Sequence, residues 1–182
     1  YNLNTKLSTY NKNISNYIIS FLHSVLILLL IGEYYLFNDY NKCIIHFSLS
    51  YFIYDVVTII EHKYSKIYLY HHLLCIINLL ITLYDPYYIH YTFMTLLLGE
   101  LSNPTHNFWK ICQKTKNKYT KQVFEIFKYQ FIILRFIVFP IYWYYSGLLK
   151  NNDIINIFYN LNLFIGLLAS IFWGVKIIKY KS

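Results

Sequence analysis

The chain has 182 residues, of which 57% are hydrophobic, 21% aromatic and only 13% charged, with a formal net charge of +8. Soluble domains carry about a quarter charged residues and show apolar stripes beside polar faces, whereas here the apolar residues come in long blocks with lysines gathered between them. These features exclude a soluble enzyme, a DNA-binding domain and a disulfide scaffold, and leave an integral membrane protein.

A crossing helix takes about 20 residues plus a loop, so the length holds about six crossings in one bundle and no second domain. In chain order the apolar blocks predict spans near 17–37, 43–60, 67–84, 87–109, 123–145 and 154–178. Asn38 and Asp39 break the chain after the first, Lys63 to Lys66 after the second, Asp85-Pro86 after the third and Lys150 to Asp153 after the fifth. Between the fourth and fifth spans, Lys110, Lys114, Lys116, Lys118 and Lys121 make one strongly basic loop. The expected fold class is therefore all-α, a polytopic bundle of six transmembrane helices around a central cavity. No signal peptide precedes the first block, and the start at Tyr1 fits a trimmed chain. Cys43, Cys75 and Cys112 are odd in number and far apart, which suits reduced thiols. The many Tyr, Phe, Ile, Asn and Lys beside a single alanine, Ala169, match an AT-rich coding sequence, so tyrosine richness alone is weak evidence of a ligand site.

With six crossings, thirteen of the sixteen basic residues fall on the side of the N-terminus, the basic loop and the C-terminus; Lys42 and Lys150 lie opposite and Arg135 lies inside the fifth span. By the positive-inside rule this side is cytoplasmic, and both chain ends are expected there. Orientation and attraction to anionic head groups account for the charge, so no nucleic-acid partner is expected.

Charged groups at membrane depth cost about 3 kcal/mol or more each and mark sites or internal pairs. The candidates are Asp55, Glu100 and Arg135, with His71, His72 and Asn103 beside them. On the second span Ser48, Tyr51, Asp55, Thr58 and His62 recur at steps of three and four, as do Tyr68, His71, Cys75, Asn78 and Thr82 on the third. The fourth carries two adjacent rows: Thr92, Thr95, Gly99, Ser102 and His106, then Leu96, Glu100, Asn103 and Asn107. Three consecutive polar stripes predict a polar cavity, with its charged groups roughly 8–15 Å inside the cytoplasmic boundary at about 1.5 Å per residue. Arg135 is expected at the same level as counter-ion to Glu100 or Asp55, and a structural ion-pair network is the alternative to a site. Neighbouring helix positions point about 100° apart, so one of His71 and His72 is expected to face the cavity, His71 by periodicity. His23, His46 and His90 read as packing or interfacial residues. Repeated His clusters are lacking, so no metal site is expected. Gly166, Ala169, Ser170 and Gly174 predict a face of close helix approach on the sixth span, and Pro104 and Pro140 predict kinks.

The segments Ser50-Tyr-Phe-Ile-Tyr-Asp55, Tyr70-His71-His72-Leu-Leu, Leu97-Leu-Gly-Glu100-Leu-Ser102-Asn103-Pro104 with Asn107, and Ile133-Leu-Arg135-Phe-Ile-Val-Phe-Pro140 together resemble the TLC domain superfamily. That superfamily holds the ceramide synthases, the translocating-chain-associated membrane proteins and a group of small TLC-domain proteins of lipid homeostasis, to which the match is closest. The resemblance implies six helices around a lipid-accessible cavity, often after one further helix, and an endoplasmic reticulum membrane. It implies catalytic roles for His71 and His72 with Glu100 and Asp55, and lipid contacts for Asn103, Arg135, Ser102, Asn107 and His106. Glu100 and Asn103 stand where ceramide synthases have two Asp, so two readings stay open. One is N-acyl transfer from acyl-CoA, as co-substrate with no bound cofactor, to a sphingoid base; the other is non-enzymatic binding or regulation of phospholipid. Membrane lipids are the expected partners, with a homodimer as an open alternative, and a transporter reading lacks broken paired spans or an inverted repeat.

Overall fold

The computed structural model describes residues 3–37, 42–62, 66–146, 148 and 153–180, with side chains of the first helix from residue 14 onward. Among the described residues eight α-helices follow one another: α1 (Leu3–Phe37), α2 (Cys43–Glu61), α3 (Lys66–Tyr84), α4 (Ile89–Glu100), α5 (Asn103–Lys114), α6 (Thr120–Ile132), α7 (Phe139–Tyr145) and α8 (Ile154–Lys179). A 3-10 turn (Pro86–Tyr88) leads into α4, and a π-helical turn (Ile133–Val138) joins α6 to α7. No strand occurs among the described residues. Among the described residues four helices are long and apolar enough to cross a membrane: residues Ile14–Phe37 of α1, all of α2, all of α3 and all of α8.

The bounds of α2, α3 and α8 lie within one residue of the predicted spans, whereas α1 starts fourteen positions before the expected residue 17, at Leu3. A helix does not stop where hydropathy falls; a turn or cap must stop it. Two predicted spans are divided. The 87–109 block turns at Leu101 and Ser102 between α4 and α5, because Pro104 at the start of α5 has no N–H to donate to the preceding turn. The 123–145 block stays helical but widens into π geometry just before Pro140, which sits in the first turn of α7. Both breaks fall at the predicted prolines. Asp85 accepts from the Tyr87 backbone N–H at 2.9 Å and Asp153 from that of Asn156 at 2.8 Å, so these loop carboxylates cap the 3-10 turn and α8. The breaks placed at Asn38-Asp39, Lys63 and 150–152, the positions Gly147 and Lys181, and the side chains of Lys6 and Lys12 lie outside the described residues.

Packing proceeds from α1 to α2, α2 to α3, α3 to α8, α8 to α6 and the π turn, α6 to α5, and α5 back to α1, with α4 touching both α1 and the π turn. The faces are inverted relative to a soluble bundle. On α8 Ile157, Phe158, Leu161, Phe164, Leu168, Ile171 and Val175 are exposed, while Asn156, Tyr159, Asn162 and Ser170 are buried. Burying amides while leaving isoleucine exposed costs free energy in water and is favourable in hydrocarbon. This is the pattern of an integral membrane protein.

Apolar packing fills what the polar faces leave. Ile27, Ile31, Ile45, Phe52, Leu79 and Phe93 form one cluster between α1, α2, α3 and α4, and Trp109, Phe124, Phe127 and Phe131 form another on α5 and α6 with Phe136 and Trp173 beside it. The expected small-residue face of α8 holds at one of its two glycines. The Phe136 ring lies directly against Gly174, where a Cβ would collide with it, but nothing approaches the Cβ position of Gly166 within 4 Å. Gly166 lines a cavity instead of a helix contact. Gly174→Ala should therefore cost about 1–3 kcal/mol by displacing Phe136, while Gly166→Ala should cost nothing; thermal unfolding in detergent micelles reads both.

Candidate functional site

A cavity of about 530 Å³ opens between the helices, with Ser20 of α1, Tyr51 and Asp55 of α2, His71, Cys75 and Asn78 of α3, Glu100 of α4, Asn103 and Asn107 of α5, Arg135 of the π turn and Asn162 and Trp173 of α8 among its lining residues. On α2, α3, α4 and α5 the steps of three and four seen in the sequence place these groups on one wall of each helix.

His72 is the most constrained group. Its Nε2 lies 2.9 Å from Asp55 Oδ2 and its Nδ1 lies 2.7 Å from the Tyr68 carbonyl oxygen. A carbonyl only accepts, so Nδ1 carries a hydrogen. Nε2 and the Asp55 carboxyl then share one further proton, and no ring nitrogen of His72 is left for a substrate. His71, one position before it, turns the other way: its Nε2 lies 3.9 Å from Cys75 Sγ and its ring stands edge-on to Trp173 at 5.1 Å. Both imidazoles line the cavity, where one was expected to. His72 reaches across to α2 and His71 faces α8.

Glu100 is 6% exposed, accepts from Asn103 Nδ2 at 2.9 Å, and lies 3.9 Å from His23 Nδ1. Glu100 and Asn103 thus bond to each other, and among the described residues neither touches the His pair. Arg135 makes no direct ion pair with Glu100 or Asp55 among the described residues. Its Nη2 donates to the Gly99 carbonyl oxygen at 2.8 Å, and among the described residues no carboxylate lies within 4.0 Å of it. Geometry separates the two groups: Arg135 comes over Gly99, and Glu100, about 100° further round α4, points to α1.

The remaining candidates divide. Asn107 Nδ2 donates to Ser20 Oγ at 2.9 Å, and Tyr51 Oη donates to the same oxygen at 2.9 Å. His106 packs between Trp109 and Phe127 in the cavity wall. Ser102 is buried with its hydroxyl unpartnered and is not among the lining residues, because it sits in the turn between α4 and α5. Deeper in, Thr82, Thr92 and Tyr159 join α3, α4 and α8 through hydroxyl contacts of 2.6 and 2.9 Å, and Asn162 Nδ2 donates to Asn78 Oδ1 at 3.0 Å. Among the described residues no three His, Cys, Asp or Glu side chains gather closely enough to hold a metal ion.

Sequence reasoning missed the contributions of α1 and α8. Asn16, Ser20 and His23 recur at steps of three and four, as do Tyr159, Asn162, Gly166, Ser170 and Trp173. His23, expected to be a packing residue, is 3% exposed and stacks on Tyr51 with ring centroids 3.7 Å apart, but hydrogen-bonds through neither nitrogen. The same periodicity test applied to every span finds these rows.

The family model described as TLC domain matches residues 13–179. No curated protein and no solved structure matches the chain.

The proton-sharing pair should be measurable as a coupling. In a double-mutant cycle of Asp55→Ala and His72→Ala, thermal unfolding in micelles should give an interaction free energy of about 2 kcal/mol, the value of a hydrogen bond to a charged group.

Proposed function

The chain belongs to the TLC domain family, and from that premise we propose that it crosses the membrane six times around the cavity, with its Lys-rich face cytoplasmic, and acts in lipid homeostasis in the endoplasmic reticulum. The broken pairs α4–α5 and α6–α7 supply the fourth and fifth crossings in this reading. Each pair covers a predicted apolar block, and irregular backbone is tolerated at membrane depth where it lines a cavity.

The activity best supported is N-acyl transfer from acyl-CoA to a lipid amine such as a sphingoid base. The observation that carries it is the division of labour between the two imidazoles. His72 has both nitrogens committed, to Asp55 and to the Tyr68 carbonyl, while His71 presents its ring in the cavity wall with only a weak contact to the Cys75 thiol, at 3.9 Å, on its Nε2. His71 is the base. It takes the proton from the amine nitrogen as that nitrogen bonds to the thioester carbon, and returns it to the thiolate as the C–S bond breaks, leaving an amide and a free thiol. The Asp55–His72 pair fixes the floor beside it, and Arg135 offers donors to the transient oxyanion. The CoA phosphates stay with the basic loop at 110–121.

A second reading, a lipid-binding or lipid-regulating protein without catalysis, is favoured by the Glu100–Asn103 contact, which leaves one carboxylate where ceramide synthases have two. Intact lipid seen by native mass spectrometry without acyl-CoA consumption would select it. For the catalytic reading, His71→Ala should lower transfer of labelled acyl from acyl-CoA to a sphingoid base by about 100-fold or more in purified micelles. Unchanged turnover contradicts the mechanism.

A further inference from the structure

An arginine in hydrocarbon is costly and is ordinarily matched by a partner. Among the described residues no carboxylate lies within 4.0 Å of Arg135. Asp55 is held by His72 at 2.9 Å, and Glu100 is held by Asn103 at 2.9 Å and directed toward His23 on α1. The guanidinium has five N–H donors. One is set on the Gly99 carbonyl, both terminal nitrogens lie over Gly99, where a Cβ would sit 3.7 and 3.9 Å away, and Nε is buried with no partner. The π turn adds a residue to the helical circuit at this point and so rotates Arg135 onto the cavity wall.

We propose that Arg135 is the receptor for an anionic lipid head group, a carboxylate or a phosphate monoester, inside the cavity. A planar fork of donors matches the paired oxygens of either group. The surrounding lining suits the chain: Phe131, Phe139, Leu163 and Leu167 lie on the π-turn and α8 side of the cavity. The volume of about 530 Å³ falls in the range of sites that enclose one ligand. The oxygens of the head bond to guanidinium donors that no protein carboxylate contacts among the described residues, so binding brings a counter-charge into hydrogen-bond range. The inference rests on the reading that the cavity admits lipid, and it holds whether or not acyl transfer occurs.

The test compares three ligands with the same saturated chain: the fatty carboxylate, the alkyl phosphate and the neutral alcohol. Each is titrated into the purified full chain in detergent, as wild type, Arg135→Lys and Arg135→Gln. Wild type should bind the carboxylate or the phosphate about tenfold or more tighter than the alcohol, as expected for a charge-assisted hydrogen bond; whichever anion leads identifies the source of the head group. Arg135→Gln should erase the preference while keeping a far-ultraviolet circular dichroism spectrum like that of wild type, which shows that the variant is folded, and Arg135→Lys should keep part of the preference. No preference in wild type, or a preference that survives Arg135→Gln, overturns the proposal. Acyl transfer measured in parallel on His71→Ala separates the two ideas: loss of transfer with anion preference intact supports both, and an anion preference without transfer in any variant supports this one alone.

Discussion

The hydrocarbon of a bilayer offers no hydrogen bonds, so every polar group that enters it must find its partner within the protein. That constraint organises the whole chain. It drives the amides and hydroxyls of α8 inward and leaves isoleucine and phenylalanine outside, and it brings Asn162 to Asn78, Asn107 to Ser20, and Tyr159 to Thr92 across three pairs of helices. Its strictest case is His72, where one imidazole is met at both nitrogens by acceptors from its own helix and from α2. Helix pairs joined this way have fixed registers, because sliding one along the other strands a buried polar group.

The same constraint explains where the helices break. Proline at 104 and at 140 removes a backbone donor in each of two long helical stretches, and the structure answers with a turn in one and a π turn in the other. The two irregularities meet. Arg135, on the π turn, donates to the carbonyl of Gly99 at the end of α4. Each break thus gives the cavity a polar group that a regular helix would have pointed elsewhere or bonded internally, and Gly99 leaves room for the guanidinium to lie over the backbone.

Much of this is legible in the residues. Hydropathy blocks locate α2, α3 and α8 to within a residue, and steps of three and four on the second, third and fourth spans pick out most of the lining residues those helices contribute. Partners are harder to read. Asp55 and Arg135 are both charged and at similar depth, but depth does not tell which side chain faces which, and the structure joins arginine to a carbonyl where charge alone predicts an ion pair. Glycines on the sixth span are a signal that serves equally for close packing, as at Gly174, and for open space, as at Gly166. Asparagine on α8 carries little weight in a composition already rich in it. Burial, at 1% exposure for Asn156 and 9% for Asn162, shows that composition and role coincide there.

The functional reading depends on lipid reaching the inner wall of the helices, not only their outer surface. A photoactivatable fatty acid incorporated into proteoliposomes with the purified chain, followed by peptide mass spectrometry, tests this directly. Adducts on the cavity residues Tyr68, Leu79, Phe131 and Trp173, suppressed by excess unlabelled fatty acid, are the predicted result. Adducts confined to the outward-facing Ile53, Leu80 and Phe172, insensitive to competition, would contradict it.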